Sequence, residues 1–394
     1  MTTRINLSDT DLCVKCGLCL PHCPTYTISK NESESPRGRL ALIQGWSEGQ
    51  LELTSTLNGH LDNCLACGSC EAMCPAQVPY TRLLNDFRAE TTADSNDNRL
   101  GLLENVAINT LTGSDRTMMS QLVNVYQKTG LSKLPIPRND YLADSINTQR
   151  LQAHYPALGS IKRGHVALFT GCASEVFDKK TLHDAIFILQ HCGFELSIPS
   201  EQGCCGALDL HAGRKTTANE LAEQNNAAFS AADYSAVITV ASGCGASLAR
   251  YDNPLAEKIY DIYDFIAPYL AELSFNKLDS SAWLHNPCSL KNTLSKGADI
   301  AALLSHIEDL NINKFDDSPS CCGAAGSYML QQPTIANQLR EQLIKPVKQQ
   351  PTQYLLSGNI GCAMHIRAGL KQAGLNIEVL HPVSLLAQQL KASS

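Results

Sequence analysis

Cysteine is the residue type best able to do chemistry in this chain, which has 17 cysteines among its 394 residues. Eight of them form two runs with one spacing, C-x2-C-x2-C-x3-C followed by proline. The runs are Cys13, Cys16, Cys19 and Cys23, and Cys64, Cys67, Cys70 and Cys74. Two-residue gaps allow three thiolates of one short loop to bind three irons of one cubane. The runs therefore predict two [4Fe–4S] clusters.

The last cysteine of each run is carried away from its own loop by the proline that follows. In proteins with two such clusters this cysteine ligates the other cluster. We therefore predict Cys13, Cys16, Cys19 and Cys74 as ligands of cluster 1, and Cys64, Cys67, Cys70 and Cys23 as ligands of cluster 2. Structural zinc is the alternative, since zinc sites also use C-x2-C pairs. Zinc sites normally separate two pairs by a longer loop, so three cysteines in close succession favour iron and sulfide.

Crossed ligation holds two clusters close together, which favours stepwise electron transfer and predicts no catalytic residue. Arg37 and Arg39 lie between the runs, in the segment that follows Ser35 and Pro36. Hydrogen bonds from guanidinium groups to cluster sulfurs would raise a cluster's potential. The alternative is an ordinary helix start, with Ser35 as N-cap and Pro36 in the first turn.

Eight further cysteines recur as two similar groups in the C-terminal half. Each group has one cysteine after a strand-like run, a vicinal Cys-Cys-Gly, and one cysteine after a later strand. The groups are Cys172, Cys204, Cys205 and Cys244, and Cys288, Cys321, Cys322 and Cys362. We treat them as candidate ligands of one or two further iron–sulfur centres. Buried structural thiols or a docking surface are the alternative.

The remaining candidates carry less weight. Cys192 lies outside both groups and is expected to be a small buried hydrophobe. His211, His285 and His365 lie near the cysteine motifs, where they would ligate or relay protons, although ordinary hydrogen-bonded histidines are commoner. No dinucleotide fingerprint, Walker motif or G-x-S-x-G sequence is present.

Composition restricts the class of protein. The formal net charge of −7 and the absence of a basic tract argue against a nucleic-acid partner. The N-terminus lacks an apolar stretch with a cleavage site, and no run approaches the ~20 apolar residues that span a bilayer. We expect a cytoplasmic protein with at most peripheral contact with the inner face of the membrane. Reduced cytosolic thiols favour metal ligation over disulfides.

The elements that position these cysteines follow from hydrophobic patterns. We predict a mostly helical ferredoxin-like domain over 1–90, a helical linker over 91–164, and two cysteine-rich repeats over 165–278 and 279–394. Strand-like runs 165–170, 236–240, 282–284 and 354–356 alternate with helical stretches 179–191, 300–310 and 334–344. In the linker, 102–111 and 118–126 are helical and 135–137 is a breaker. Alternating strands and helices predict parallel sheets, so the fold class is α+β or α/β, with two lobes related by a pseudo-two-fold axis.

These motifs resemble a known family. The pattern C-x31–32-C-C-G-x37–38-C resembles the cysteine-rich (CCG) domain of heterodisulfide reductases and of the iron–sulfur subunit of anaerobic glycerol-3-phosphate dehydrogenase. Joined to two ferredoxin runs, it resembles the glycolate oxidase iron–sulfur subunits, most closely over 203–209, 241–245, 321–328 and 359–362. In the reductases each motif ends in C-x-x-C, and here Ala241 and Asn359 replace the first cysteine of that pair.

The resemblance implies an electron-transfer subunit without a substrate site of its own. Its partners would be a flavin-containing catalytic subunit, which oxidises glycolate to glyoxylate, and a second flavin-binding subunit. FAD would lie on those partners only, and electrons would pass to quinone or another acceptor. The alternatives are the iron–sulfur subunit of a glycerol-3-phosphate or lactate dehydrogenase, and a heterodisulfide-reductase-like enzyme. The missing C-x-x-C endings count against the last of these.

Overall fold

The computed structural model of the chain describes residues 8–94, 109–113, 116–129, 139–141, 149–158, 161–294, 299–315 and 321–391. Within these ranges no helix has the length and apolar character needed to cross a bilayer. The predicted breaker 135–137 and most of the predicted helix 102–111 lie outside the described residues. The predicted helix 118–126 is present as Arg116–Lys128.

The N-terminal part is helical, as predicted. Its helices are Pro24–Ser29, Pro36–Ser47, Ser55–Asp62, Ser69–Ala72 and Tyr80–Asp94. The Ser35 hydroxyl accepts a hydrogen bond from the Gly38 N–H at 3.0 Å, so Ser35 caps the second helix as predicted. Trp46 and Phe87 pack edge to face in the core between these helices, with their ring centroids 5.0 Å apart. This core holds the loops that bear the two cysteine runs.

The first sheet has five strands in the order β1-β3-β2-β4-β5. They are β1 His154–Tyr155, β2 Gly164–Phe169, β3 Phe194–Ser197, β4 Val237–Thr239 and β5 Ile259–Asp261. All neighbouring strands run parallel except the β1/β3 pair. The helices of this part are Cys172–Phe177, Lys179–His191, Ala207–His211, Lys215–Ser230, Ser242–Leu248 and Ile262–Ile266. Helix Lys179–His191 has the predicted bounds and buries its apolar stripe of Leu182, Ala185, Ile186 and Leu189.

The second sheet has four parallel strands in the order β7-β6-β8-β9. They are β6 Ser280–His285, β7 Leu310–Lys314, β8 Tyr354–Ser357 and β9 Glu378–Leu380. The helices of this part are Ile300–Leu304, Tyr328–Gln331, Pro333–Gln349 and Ile360–Gln372, and the last helix, Pro382–Gln389, packs against helix Lys179–His191 of the first part. The strand order repeats that of β3-β2-β4-β5, so both halves have the same topology around their cysteines.

The predicted helix 300–310 ends early. It spans only Ile300–Leu304, and Leu310 already belongs to β7. Asp309 has a φ of +67°, a left-handed conformation that no helix interior accepts, and it turns the chain into the strand. Two sheets rich in parallel pairs confirm a mixed α/β chain, whereas the pseudo-two-fold relation of the lobes and the domain boundaries stay predictions.

Candidate metal centres

Four cysteines line one pocket of the N-terminal part: Cys23, Cys64, Cys67 and Cys70. Cys23 directly precedes helix Pro24–Ser29 and is buried, whereas Cys64 and Cys67 lie in the loop after helix Ser55–Asp62 and Cys70 lies in the short helix Ser69–Ala72. The phenol of Tyr80 donates to the Cys64 Sγ at 3.4 Å. The pocket thus brings together the cysteines predicted for cluster 2, although they come from both runs.

The cysteines predicted for cluster 1 lie closer to solvent than Cys23 does. Cys16 is exposed, and Cys13, Cys19 and Cys74 are half-buried. Burial, together with the neighbouring Cys13, raises the pKa of the Cys19 thiol to about 11. Cys13 and Cys74 pack against the same helical core as Cys64 and Cys70. Cluster 1 would therefore lie at the surface, and cluster 2 deeper in the protein.

The two arginines between the runs bind oxygen atoms. Arg39 is 1% exposed, forms an ion pair with Glu34, and donates to the Thr25 hydroxyl at 3.0 Å. Arg37 pairs with Glu32 at 2.6 Å and donates to the Lys15 carbonyl at 3.0 Å. Throughout the described part of the chain, the hydrogen bonds of both guanidinium groups therefore go to oxygen rather than to cysteine sulfur.

The first cysteine-rich repeat brings its four predicted thiols together. The Sγ atoms of Cys172 and Cys204 are 3.5 Å apart, and the Cys205 thiol forms hydrogen bonds with both Cys204 and Cys244. Cys172 follows β2 and Cys244 follows β4, which are adjacent parallel strands. Their carboxyl ends meet at one edge of the sheet, which explains why residues 72 positions apart become neighbours.

A buried asparagine that sequence reasoning missed holds the Cys-Cys-Gly turn of this repeat. The Asn225 Oδ1 accepts from the Gly203 N–H at 2.8 Å, and its Nδ2 donates to the Cys204 carbonyl at 2.9 Å. The hydroxyl groups of Ser247 and Tyr251 donate to the Cys205 carbonyl. These bonds fix the backbone of the vicinal pair and leave its sulfur atoms facing the other thiols.

The second repeat has a similar arrangement. The Sγ atoms of Cys322 and Cys362 are 2.7 Å apart, and Cys321 forms hydrogen bonds with Cys288 and Cys322. The Asn359 side chain, at the position where the reductases have a cysteine, donates to the Cys362 Sγ at 3.4 Å. Here Asn359 thus supports a thiol instead of adding one.

Histidines add to the second group of thiols. His285 is 1% exposed, and its ring nitrogen lies within 4.8 Å of the Cys322 and Cys362 sulfurs. His365 is fully buried, and its Nδ1 lies 2.7 Å from the Cys322 carbonyl. Burial lowers the pKa of His365 to about 4, so the ring is neutral at pH 7. His365 thus positions the cysteine loop, and His285 is a further candidate ligand.

The thiols of the two cysteine-rich repeats need a compensating positive charge to ionise. Neighbouring thiols and burial raise the pKa values of Cys205, Cys288 and Cys322, whereas hydrogen bonds from Cys288 and Cys322 lower that of Cys321. Bound iron supplies such a charge, since a coordinated thiol is deprotonated outright. Four converging thiols are a donor set that fits an iron–sulfur centre.

Cys192, unlike the cysteines of the two repeats, is a purely structural residue. It is 4% exposed, lies in the hydrophobic core, and has its pKa raised to about 12 by burial. This confirms the expectation of a buried small hydrophobe.

The second cysteine run packs directly against the second repeat. The Asn292 Nδ2 donates to the Cys67 carbonyl at 2.9 Å and the Tyr328 hydroxyl donates to the Asn63 carbonyl at 3.1 Å. Burial and the neighbouring Cys321 raise the pKa of Cys67 to about 12. The cysteines predicted for cluster 2 therefore lie next to the thiols of the second repeat, which no sequence pattern indicated.

Known proteins carry the same two modules. The cysteine-rich domain family matches 166–249 and 282–367, and the 4Fe-4S dicluster domain family matches 9–78. A probable glycolate oxidase iron-sulfur subunit of Bacillus subtilis is 31% identical, with 95% of this chain and 93% of that protein covered. The chain belongs to this family of iron–sulfur subunits.

Two further relatives show how far the family likeness extends. The glycolate oxidase iron-sulfur subunit of Escherichia coli is 28% identical over 96% of this chain and 94% of its own length. Lactate utilization protein A 2 of Bacillus cereus is also 28% identical, but over only 57% of this chain and 98% of its own length. Of these three relatives, the two that cover nearly the whole chain are the glycolate oxidase iron-sulfur subunits.

A solved structure supports the fold alone. The crystal structure of a hypothetical protein from Helicobacter pylori superimposes with a TM-score of 0.55 at 12% identity, and covers 92% of this chain and 70% of that protein. The iron–sulfur subunit thus shares its architecture with a protein of very different sequence.

Proposed function

We propose that this chain is the electron-transfer subunit of a flavin-dependent glycolate oxidase. In that complex a flavin-containing catalytic subunit oxidises glycolate to glyoxylate, and this chain carries the electrons onward one at a time. The observation that supports it best is the contact between the second cysteine run and the thiols of the second repeat, because it joins two candidate redox centres inside one chain. Family membership supports the choice of glycolate.

The proposal includes two [4Fe–4S] clusters with crossed ligands. Cluster 1 is assigned to Cys13, Cys16, Cys19 and Cys74, and cluster 2 to Cys64, Cys67, Cys70 and Cys23. The pocket that gathers Cys23 with three cysteines of the second run supports the crossed arrangement. When bound, such clusters accept and release single electrons. The chain's own residues hold the clusters, order them from the surface to the interior, and position the second beside the second repeat.

Each repeat is proposed to hold one further iron–sulfur centre. The ligands would be Cys172, Cys204, Cys205 and Cys244, and Cys288, Cys321, Cys322 and Cys362. The short distances between their sulfur atoms and the backbone bonds that hold the vicinal pairs support this assignment. Isolated buried thiols would need no such convergence.

The remaining parts of the proposal concern partners and location. We propose a second flavin-binding subunit beside the catalytic one, FAD on those partners only, and no substrate site on this chain. Quinone is proposed as the acceptor, in a cytoplasmic complex with peripheral contact with the inner face of the membrane. A nucleic-acid partner is not proposed, because the chain carries a net charge of −7.

The test is co-purification from the native host followed by turnover. The complex should oxidise glycolate faster than D-lactate or glycerol 3-phosphate, and faster reaction with either of the others would overturn the substrate. Cys67→Ser should abolish one reduced-cluster EPR signal and electron flow to quinone. Glyoxylate formation with an artificial acceptor that takes electrons at the flavin should continue. Zinc without sulfide in the purified chain would refute the cluster assignment.

A further inference from the structure

A cluster of side chains able to bind a metal lies on the first sheet, away from the cysteines. His154, His165 and Glu195 each offer one ligand atom, and these atoms all lie within 4.8 Å of one another. The three residues belong to β1, β2 and β3, which are neighbours in the sheet in the order β1-β3-β2. Side chains on strands are held more precisely than side chains on loops. The sheet itself therefore builds the cluster.

Strand register places the three side chains on one face. His154 pairs with Ser197 across β1 and β3, and His165 pairs with Glu195 across β2 and β3. Directly opposed residues share a face of a sheet, and so do Glu195 and Ser197, which are two positions apart on β3. The convergence of the two histidines on Glu195 thus follows from the pairing of the strands.

The distances suit a small tetrahedral ion. The His154 Nε2 lies 3.4 Å from the Glu195 Oε1. Two ligands bound to one tetrahedral zinc ion at ~2.0–2.1 Å lie about 3.3 Å apart, so this pair already has the required separation. The His165 ring lies edge to face with the His154 ring, with centroids 6.2 Å apart. A side-chain rotation of about 1 Å brings the third ligand atom into range.

His165 is the anchored member of the cluster. Its Nε2 lies 2.8 Å from the Ser197 hydroxyl, and the Tyr234 ring packs edge to face against it at 4.9 Å between centroids. When Nε2 carries the proton and donates to Ser197, Nδ1 keeps the lone pair that binds a metal. Metal-binding histidines are usually held by such a hydrogen bond from the other ring nitrogen.

The types of ligand select the metal. Two imidazoles and one carboxylate are a ligand set of zinc sites that keep a fourth position for water. Calcium and magnesium prefer oxygen ligands alone. The side chains of His154 and Glu195 are 51% and 48% exposed, so an ion reaches them without opening the sheet. We infer that His154, His165 and Glu195 bind one zinc ion.

The position of the site indicates a structural role. His165 and Glu195 are the second residues of β2 and β3, at the amino ends of these parallel strands, whereas Cys172 follows the carboxyl end of β2. The zinc ion therefore lies at the opposite edge of the sheet from the thiols and takes no part in electron transfer. β1 has only two residues, and a zinc ion would tie it to β2 and β3. This inference does not depend on the proposed function.

Zinc binding is measured by equilibrium dialysis of the full chain with its clusters against zinc chloride. His154→Ala and Glu195→Gln should each weaken binding at least tenfold, and both side chains are exposed enough to be replaced without loss of the fold. His306→Ala is the matched control, because His306 is an exposed histidine of the second repeat outside the cluster. It should bind zinc as the unaltered chain does.

X-ray absorption at the zinc edge separates this site from the thiols. We expect nitrogen and oxygen ligands at ~2.0–2.1 Å, whereas cysteine sulfur would lie at ~2.3 Å. Zinc bound only through sulfur would overturn the inference, as would no binding, or equal binding by the unaltered chain and both variants.

Amide hydrogen exchange tests the role of the metal as a tether. Zinc should slow exchange in peptides that cover 152–158 at least threefold in the unaltered chain and in His306→Ala, but not in His154→Ala. Equal exchange with and without zinc in the unaltered chain would overturn this role. Neither glycolate nor a flavin partner is needed in these measurements, so their outcome is separate from that of the proposed function.

Discussion

The substitution Asn225→Ala tests whether the first repeat is built around its vicinal cysteines. Asn225 is fully buried and bonds the Gly203 N–H and the Cys204 carbonyl. Alanine removes both of these bonds, and each buried backbone group that loses its bond costs about 1–3 kcal/mol. The local loss is therefore about 2–6 kcal/mol. By the factor of ten per ~1.4 kcal/mol, opening of the Cys-Cys-Gly turn becomes at least about 30 times more frequent.

Amide hydrogen exchange followed by mass spectrometry measures this directly, because exchange reports local opening. Peptides that cover 203–206 and helix Lys215–Ser230 should exchange at least about 30-fold faster, and the iron bound per chain should fall. Asn226→Ala is the matched control on the same helix, since the Asn226 side-chain oxygen has no hydrogen-bond partner among the described residues. Unchanged exchange and unchanged iron content in Asn225→Ala would refute the role assigned to this clamp.

Three further predictions concern the packing that supports the site. Glu34→Gln should lower the free energy of unfolding of the N-terminal part by about 3 kcal/mol, because it leaves the charge of buried Arg39 unpaired. Glu32→Gln removes an exposed ion pair and should lower the same free energy by less than about 1 kcal/mol. Urea unfolding followed by Trp46 fluorescence measures both values. Gly213→Ala should lower the melting temperature far more than Gly374→Ala does, and equal melting temperatures of the two variants would contradict this prediction. Both glycines have positive φ, but a Cβ on Gly213 would lie 2.4 Å from the Arg88 carbonyl, and one on Gly374 meets nothing within 4 Å. Burial lowers the pKa of His381 to about 3, so the unfolded chain, with a pKa near 6.5, binds the extra proton between these values. The contribution of neutral His381 to the free energy of unfolding is therefore fully present above about pH 6.5 and is lost as the pH decreases, by about 2 kcal/mol at pH 5. His381→Asn should remove this contribution from the pH dependence of urea unfolding.

Helices and strands that are marked by a cap or by an apolar run in the sequence were predicted correctly. Ser35 and Pro36 marked a helix start, and the apolar runs at 165–170 and 354–356 marked two central strands. The edge strands β1, β5 and β9 have two or three residues each, too few for a recognisable period. They exist because a neighbouring strand supplies hydrogen bonds, which is tertiary information.

The same distinction separates what was predicted at the site from what was missed. Spacing within a run indicated which thiols belong to one loop, and the repeat indicated which later thiols form a set. Asn225 carries no motif, since its role depends on the helix that brings it to Gly203. Arg88 likewise carries no motif, and it holds the start of the second run only because helix Tyr80–Asp94 brings it to the Leu61 and Cys64 carbonyls. Such residues become visible only through long-range contacts.

The position of the second run within the fold sets the direction of electron flow in the proposal. Cys16 of the first run is exposed, whereas the second run is covered by Asn292 and Tyr328 of the second repeat. A partner protein would therefore reach cluster 1 more readily than cluster 2, because Cys16 is exposed and the chain itself supplies contacts to the second run. Electrons from a partner would enter at the first run and leave through groups that line the junction of the repeats. The thiols of the second repeat, which lie next to Cys67, are at that junction.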